Sequence, residues 1–144
     1  MKPAARHIPL VPVVCALVLA ASACHKDATT PPAPTPSVII TTDTFRGTVP
    51  LRGSDAKNFT VAKTGTVNVT LTAAGPPSTI VMGVGVGVPK DSACAVLAGG
   101  STTTAAGTTV QLSGTVSPGT LCVQVSDLGN QTAAVTYTVT VAHP

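Results

Sequence analysis

The chain has 144 residues, a formal net charge of +3 and 9% charged residues, which leaves room for one domain with a weakly charged surface. Aromatic residues make up 2% of the chain, and tryptophan is absent. With so little net charge and no basic cluster, the chain lacks the electrostatic footprint of a nucleic-acid-binding protein. No nucleic-acid partner is therefore expected.

The N-terminal segment, residues 1–23, is typical of an export signal. Lys2, Arg6 and His7 form a short basic lead, and the uncharged apolar run 8–21 follows. That run is too short and too rich in proline to span a bilayer as a helix. The small residues Ala21, Ser22 and Ala23 then lead directly to Cys24.

This ending resembles the lipobox of bacterial lipoproteins, with Ala21 where that family most often has Leu. The resemblance implies lipid on the Cys24 sulfur, cleavage before Cys24 and acylation of the new amino terminus. Two or more acyl chains make a lasting anchor, because each buried methylene contributes about 0.8 kcal/mol. His25, where Asp would favour inner-membrane retention, implies delivery to the outer membrane. The alternative is an ordinary signal-peptidase site beside a chance cysteine.

Residues 24–37 form a predicted linker. Four prolines, at positions 31, 32, 34 and 36, exclude helix and favour an extended polyproline conformation. At about 3.1 Å per residue, such a linker holds a domain up to about 40 Å from the lipid. The signal peptide contains two of the eight Lys and Arg residues, so its removal leaves six against five Asp, a net charge of +1.

From residue 38 to 144 the sequence predicts an all-β domain. Apolar and polar residues alternate repeatedly with Val and Thr prominent, and turn-forming Gly, Pro and Asp residues separate the runs. The alternating runs are 45–51, 59–61, 67–72, 110–112, 121–126 and 135–141. The predicted turns lie at 53–55, 64–65, 75–77, 89–91, 99–100, 118–119 and 127–130. We expect an antiparallel β-sandwich or jelly-roll-like fold of about seven to nine strands, with Tyr137 on the core face.

The order of these segments resembles the bacterial pre-peptidase C-terminal β-sandwich family over residues 44–142. The matching segments are Phe45-Arg46-Gly47, Phe59-Thr60-Val61 followed by 67–71, and 119–130 followed by 137–141. Relatives usually have an aromatic residue where Leu121 stands. The resemblance implies a domain that serves exported enzymes as an accessory, processing or binding module, although no enzyme domain is attached here. Some members bind Ca²⁺.

The four cysteines have separate predicted fates. Cys15 leaves with the signal peptide, Cys24 takes the lipid, and Cys94 and Cys122 remain. An even pair of cysteines in an exported chain favours a disulfide. In the chain-entropy model, closing the loop between these two cysteines stabilises the folded state by roughly 3.5 kcal/mol. The rival interpretation is metal ligation, but neither a histidine in the domain body nor a third cysteine is present to complete a zinc site.

Two further segments have more than one interpretation. Asp127 and Asn130, in Asp-Leu-Gly-Asn, are either Ca²⁺ ligands or parts of a hairpin turn in which Gly129 takes a positive φ. The run 80–88 places Met82, Val84, Val86 and Val88 on one face and glycines on the other. That glycine face is either covered by the fold or open to a ligand or, at a sheet edge, to a partner strand.

Catalysis is not expected. The mature chain has only His25 and His143 as histidines, glutamate is absent, and the aspartates are scattered through turns. No cofactor or metal is predicted. We therefore expect a non-catalytic, membrane-anchored lipoprotein whose β-sandwich acts as a binding or accessory module in the cell envelope, with an envelope protein or a glycan as its expected partner. A glycan- or calcium-binding module is the alternative, with an enzyme as a more distant one; missing aromatic platforms weaken the glycan interpretation.

Overall fold

The computed structural model describes residues 37–144, and these residues contain eight β-strands and no helix. The strands are β1 (Thr41–Val49), β2 (Ser54–Val61), β3 (Gly65–Gly75), β4 (Val81–Lys90), β5 (Ala93–Ala105), β6 (Leu112–Val116), β7 (Gly119–Ser126) and β8 (Val135–His143). All eight lie within the range 38–144 that the sequence assigned to the domain. The predicted strand number and fold class are confirmed.

The strands form two antiparallel four-stranded sheets that pack as a β-sandwich. Sheet A has the order β1-β8-β3-β6, and sheet B has the order β2-β7-β4-β5. Only the β4–β5 connection joins neighbours within one sheet, and every other connection crosses to the opposite sheet. Strand β4 is therefore an interior strand, hydrogen-bonded to β7 on one side and to β5 on the other.

The core consists mainly of small aliphatic side chains that alternate inward along the strands, as the period of two predicts. Tyr137 is only 3% exposed and Phe59 only 4%, so two of the three aromatic side chains lie in the core. The most fully buried side chains of the core are Val49, Val61, Val69, Leu71, Met82, Val84, Val123, Val125, Val135, Val139 and Val141.

Three local predictions are wrong. Leu51 does not continue the first strand, because Pro50 begins a turn closed by a bond from the Gly53 N–H to the Pro50 carbonyl (3.0 Å), and Leu51 is exposed. Val110 precedes β6 rather than starting a strand, and it too is exposed. Gly99 and Gly100 do not end a strand but lie inside β5, where its register shifts.

That shift is a bulge in β5. Ser101 pairs with Gly85 and Val96 pairs with Gly87, so four residues of β5 stand opposite Val86 alone. Gly99 takes a φ of +71° there, in the region that glycine enters without steric cost. The bulge moves the strand away from its straight path and sets the direction of the β4–β5 hairpin.

Candidate functional site

The predicted disulfide between Cys94 and Cys122 is confirmed. Their Cα atoms are 5.9 Å apart and the S–S distance is 2.06 Å. Cys94 lies on β5 and Cys122 on β7, and β4 runs between these two strands. The bond therefore bridges over β4 instead of joining neighbours.

This bridge is possible because the β4–β5 hairpin folds over the outer face of sheet B at Gly87. Gly87 pairs with Cys122 on one side and with Val96 on the other. A Cβ at Gly87 would overlap the Ala95 carbonyl oxygen and lie 2.8 Å from the Val96 Cα. The β5 backbone thus passes directly over Gly87, which brings Cys94 above Cys122 and buries both cysteines.

The other glycines of β4 are also covered by the protein itself. A Cβ built at Gly85 lies 3.0 Å from Cγ2 of Val96, and one at Gly83 lies 3.3 Å from Cδ2 of Leu128. The glycine face is thus a packing surface for β5 and the β7–β8 loop. The idea of an edge strand open to a partner is wrong, because β4 has a neighbour on each side.

The opposite face of β4 lies in the core for most of its length. Met82, Val84 and Val86 are buried as predicted. Val88, expected to join them, is 42% exposed because the hairpin bends at Gly87 and carries it beyond the core.

Asp127 organises the β7–β8 turn. Its Oδ2 accepts a bond from the Arg52 N–H (2.7 Å), and its Oδ1 accepts bonds from the N–H groups of Gly129 (2.8 Å) and Gln131 (3.3 Å). Gly129 has a φ of +85°. Both carboxylate oxygens are therefore used by backbone donors, which is the geometry of the turn interpretation.

The same donors set the protonation of this carboxylate. Desolvation raises the pKa of Asp127, but the surrounding backbone N–H groups together outweigh it and hold the pKa below its ordinary value. The Asn130 side chain points to another element, donating from Nδ2 to the Val81 carbonyl (2.9 Å) at the start of β4. Asp127 thus joins the β7–β8 turn to the turn between β1 and β2, and Asn130 joins it to β4. Among residues 37–144, no three His, Cys, Asp or Glu side chains cluster as metal ligands.

A polar group that the sequence did not reveal joins β8 of sheet A to β2 of sheet B. The Tyr137 hydroxyl donates to Oδ2 of Asp55 (3.0 Å), and Lys57 Nζ lies 3.2 Å from Oδ1 of the same carboxylate. Burial and the negative Asp55 both raise the pKa of Tyr137 above its ordinary value. Gly47 opposes Tyr137, and a Cβ there would lie 2.8 Å from its hydroxyl oxygen. Gly47 thus makes room for the pair.

A second polar pair joins the paired strands β1 and β8. Nε2 of His143 is 3.1 Å from Oδ2 of Asp43, and the imidazole is packed against Phe59 with ring centroids 5.3 Å apart. His143 is 4% exposed, and its Nδ1 has no hydrogen-bond partner within residues 37–144. Extending the alternation of β8 by two residues beyond Val141 would have placed His143 on the core face.

An open concavity on the outer face of sheet A has a volume of about 690 Å³. We call it the Arg46 trough. Residues 73–75 at the end of β3 and the following Pro76 border one side, and Arg46 and Thr48 of β1 border the other. Thr136 and Thr138 of β8 lie between them.

Cys24, the predicted lipidation site, lies outside the described residues, as do the predicted signal peptide and all of the linker except Ser37. Over residues 37–144 the structure contains no helix long and apolar enough to cross a membrane. No protein-family model matches the chain, and no curated protein matches it.

Proposed function

We propose that the chain is a non-catalytic bacterial lipoprotein, held to a membrane through lipid on Cys24, whose β-sandwich acts as a binding or accessory module in the cell envelope. The observation that carries the proposal is the sequence Ala21-Ser22-Ala23-Cys24 directly after a basic lead and an apolar run. His25 favours the outer membrane as the destination.

The folded part supports display rather than catalysis. Its one histidine, His143, is buried beside Asp43 and Phe59, which keeps the imidazole away from solvent and from a substrate. The buried disulfide suits an exported protein, because such bonds persist in oxidising compartments. The Pro-rich linker predicted for residues 24–37 would hold the sandwich away from the lipid surface.

The anchor is tested by labelling with palmitate in a bacterial host that processes lipoproteins. We expect the wild-type chain and a Cys15→Ser variant to incorporate label, and a Cys24→Ser variant to lose it. Cys15 is the matched control, because it is a second cysteine within the signal segment. Label retained by Cys24→Ser, or lost equally from both variants, would contradict attachment at Cys24.

The binding role is tested by cross-linking in intact cells, followed by capture of the chain from detergent-solubilised envelopes. We expect a reproducible envelope component with the wild-type chain. The control is a chain that ends at Ser37, which keeps the predicted anchor and linker but lacks the sandwich and should therefore capture no partner. A chain that captures nothing beyond this control would refute the binding role while leaving the anchor intact.

A glycan is the second candidate ligand, and the Arg46 trough favours it. Its volume of about 690 Å³ falls within the range of roughly 300–1,000 Å³ typical of small-molecule sites. Calcium has less support, since both oxygens of the Asp127 carboxylate already accept backbone hydrogen bonds.

A further inference from the structure

The chemistry of the Arg46 trough is unusual on this surface, because one cation stands among hydroxyl groups. Arg46 is exposed, and its neighbours along the trough include Thr48, Thr136 and Thr138. None of the lining residues is acidic. The trough therefore combines a positive charge with uncharged polar groups and carries no negative charge.

The guanidinium of Arg46 is free to pair with a ligand. Among residues 37–144, Arg46 takes part neither in the Lys57–Asp55 ion pair nor in the contact between His143 and Asp43. A guanidinium presents a planar fork of N–H donors that matches a carboxylate or a phosphate with two parallel hydrogen bonds. Charge complementarity thus calls for an oxyanion above β1.

The threonines supply hydrogen-bond acceptors, whereas Arg46 supplies donors. The Thr136 hydroxyl donates its hydrogen to the Gly75 carbonyl (2.9 Å), so the oxygen is left to accept a bond from outside the sheet. Thr138 lies beside it, two residues along the outward-facing row of β8. A ligand that carries hydroxyl groups next to an oxyanion could pair its oxyanion with the Arg46 guanidinium and donate hydrogen bonds from its hydroxyls to the threonine oxygens.

We propose that the Arg46 trough binds an anionic sugar, with the carboxylate or phosphate of the sugar on Arg46 and its hydroxyls on Thr136 and Thr138. This inference rests on the proposed function of the sandwich as a binding module. It also accounts for binding without an aromatic platform, since Tyr137 is buried and the charge on Arg46 replaces stacking as the main attraction.

The test is a titration of the full lipidated chain in detergent micelles, followed by amide chemical shifts. The probes are glucuronate, glucose 6-phosphate, uncharged glucose, acetate and inorganic phosphate. We expect glucuronate or glucose 6-phosphate to cause saturable shifts at Thr48, Gly75 and Thr136, weakening as salt is added. Glucose should cause none, and acetate and phosphate should bind more weakly because they lack the hydroxyls.

The variants separate the trough from general surface charge. Arg46→Gln should weaken binding by about 10-fold or more, the size of effect expected for a hydrogen bond to a charged group. Lys63→Gln is the matched control, because it removes one exposed positive charge outside the trough and should leave binding unchanged.

Several results would overturn the inference. These are equal binding of glucose, equal binding of acetate or phosphate, full binding by Arg46→Gln, or shifts confined to another face. Stronger binding to vesicles of anionic lipid than to neutral vesicles, with shifts in the trough and no binding of either charged sugar, would assign the surface to a membrane and would also overturn it. Any of these outcomes leaves palmitate labelling at Cys24 and capture of an envelope partner unaffected, so the two proposals fail separately.

Discussion

Because β5 crosses over Gly87, a single methyl group added at that position should destabilise the fold. In Gly87→Ala, the new Cβ would overlap the Ala95 carbonyl and lie 2.8 Å from the Val96 Cα, where carbon atoms normally approach to about 3.5–4.0 Å. The obstacle is backbone, which cannot rotate away as a side chain can. We expect destabilisation at the upper end of the usual overpacking range, about 3 kcal/mol.

The cost increases if the displaced hairpin carries Cys94 out of reach of Cys122, because the roughly 3.5 kcal/mol expected from the disulfide is then lost as well. Gly114→Ala is the matched control. It adds the same methyl group to a glycine in a strand, and nothing lies within 4 Å of the new atom. Removing a flexible residue from a strand should stabilise the fold by about 0.5–1 kcal/mol.

The assay is urea unfolding followed by circular dichroism without reductant, together with a count of free thiols. We expect Gly87→Ala to unfold at clearly lower urea than wild type, with reactive thiol present, and Gly114→Ala to unfold at equal or higher urea. If the two variants unfold at the same midpoint with no free thiol, then β5 does not pass over Gly87 and the account of the bridge is wrong.

Three further predictions concern the disulfide and the two perturbed groups. Replacing Cys94 and Cys122 together by Ala should lower the free energy of unfolding by about 3.5 kcal/mol; a change near zero would contradict a stabilising bond. Because the folded-state pKa of Tyr137 is raised, its contribution is complete below the unfolded pKa of about 10 and is lost above it. Tyr137→Phe should therefore flatten the fall in stability above pH 10, and an unchanged profile would refute the contact with Asp55. The pKa of Asp127 is lowered in the folded state, so its carboxylate contributes stability that is present above its ordinary pKa of 3.8 and is lost as pH falls through the lower folded pKa. Asp127→Asn should destabilise the protein at pH 7 and flatten the loss of stability at acid pH. An unfolding midpoint equal to that of wild type at pH 7 and at acid pH would argue against the turn bonds.

The sequence predicted the fold class because the inward and outward positions of the strands are set by a local period of two. The burial of Val139, Val141 and Tyr137 follows from that alternation alone. The pairing of Cys94 with Cys122 followed from counting cysteines, which needs no knowledge of the sheet order. Such features depend on neighbours in the sequence or on composition.

Two of the wrong predictions concern features that depend on pairing with another strand. Gly99 and Gly100 carry the usual signal of a turn, yet β5 continues through them because β4 provides a partner on both sides of the bulge. Val88 has the parity of a core residue, but the path of the hairpin over Gly87 decides its exposure. Neither outcome can be derived from the local pattern.

The candidate site was the part least accessible from the sequence. Arg46 appeared only as part of a family-like segment, because its significance depends on the strand order that places it across β8 from the end of β3. The Tyr137–Asp55 contact was equally hidden, since the two residues belong to different sheets and are 82 positions apart.

The order of the strands also determines where the protein would yield under mechanical load. Tension applied through the segment before Thr41 acts first on β1, an edge strand held to β8 along nine paired positions. The covalent loop from Cys94 to Cys122 encloses β5, β6 and the start of β7, and it does not include β1. A pull from that end would therefore peel β1 away while the cross-linked sheet keeps its register, giving an early rupture that reduction of the disulfide leaves unchanged.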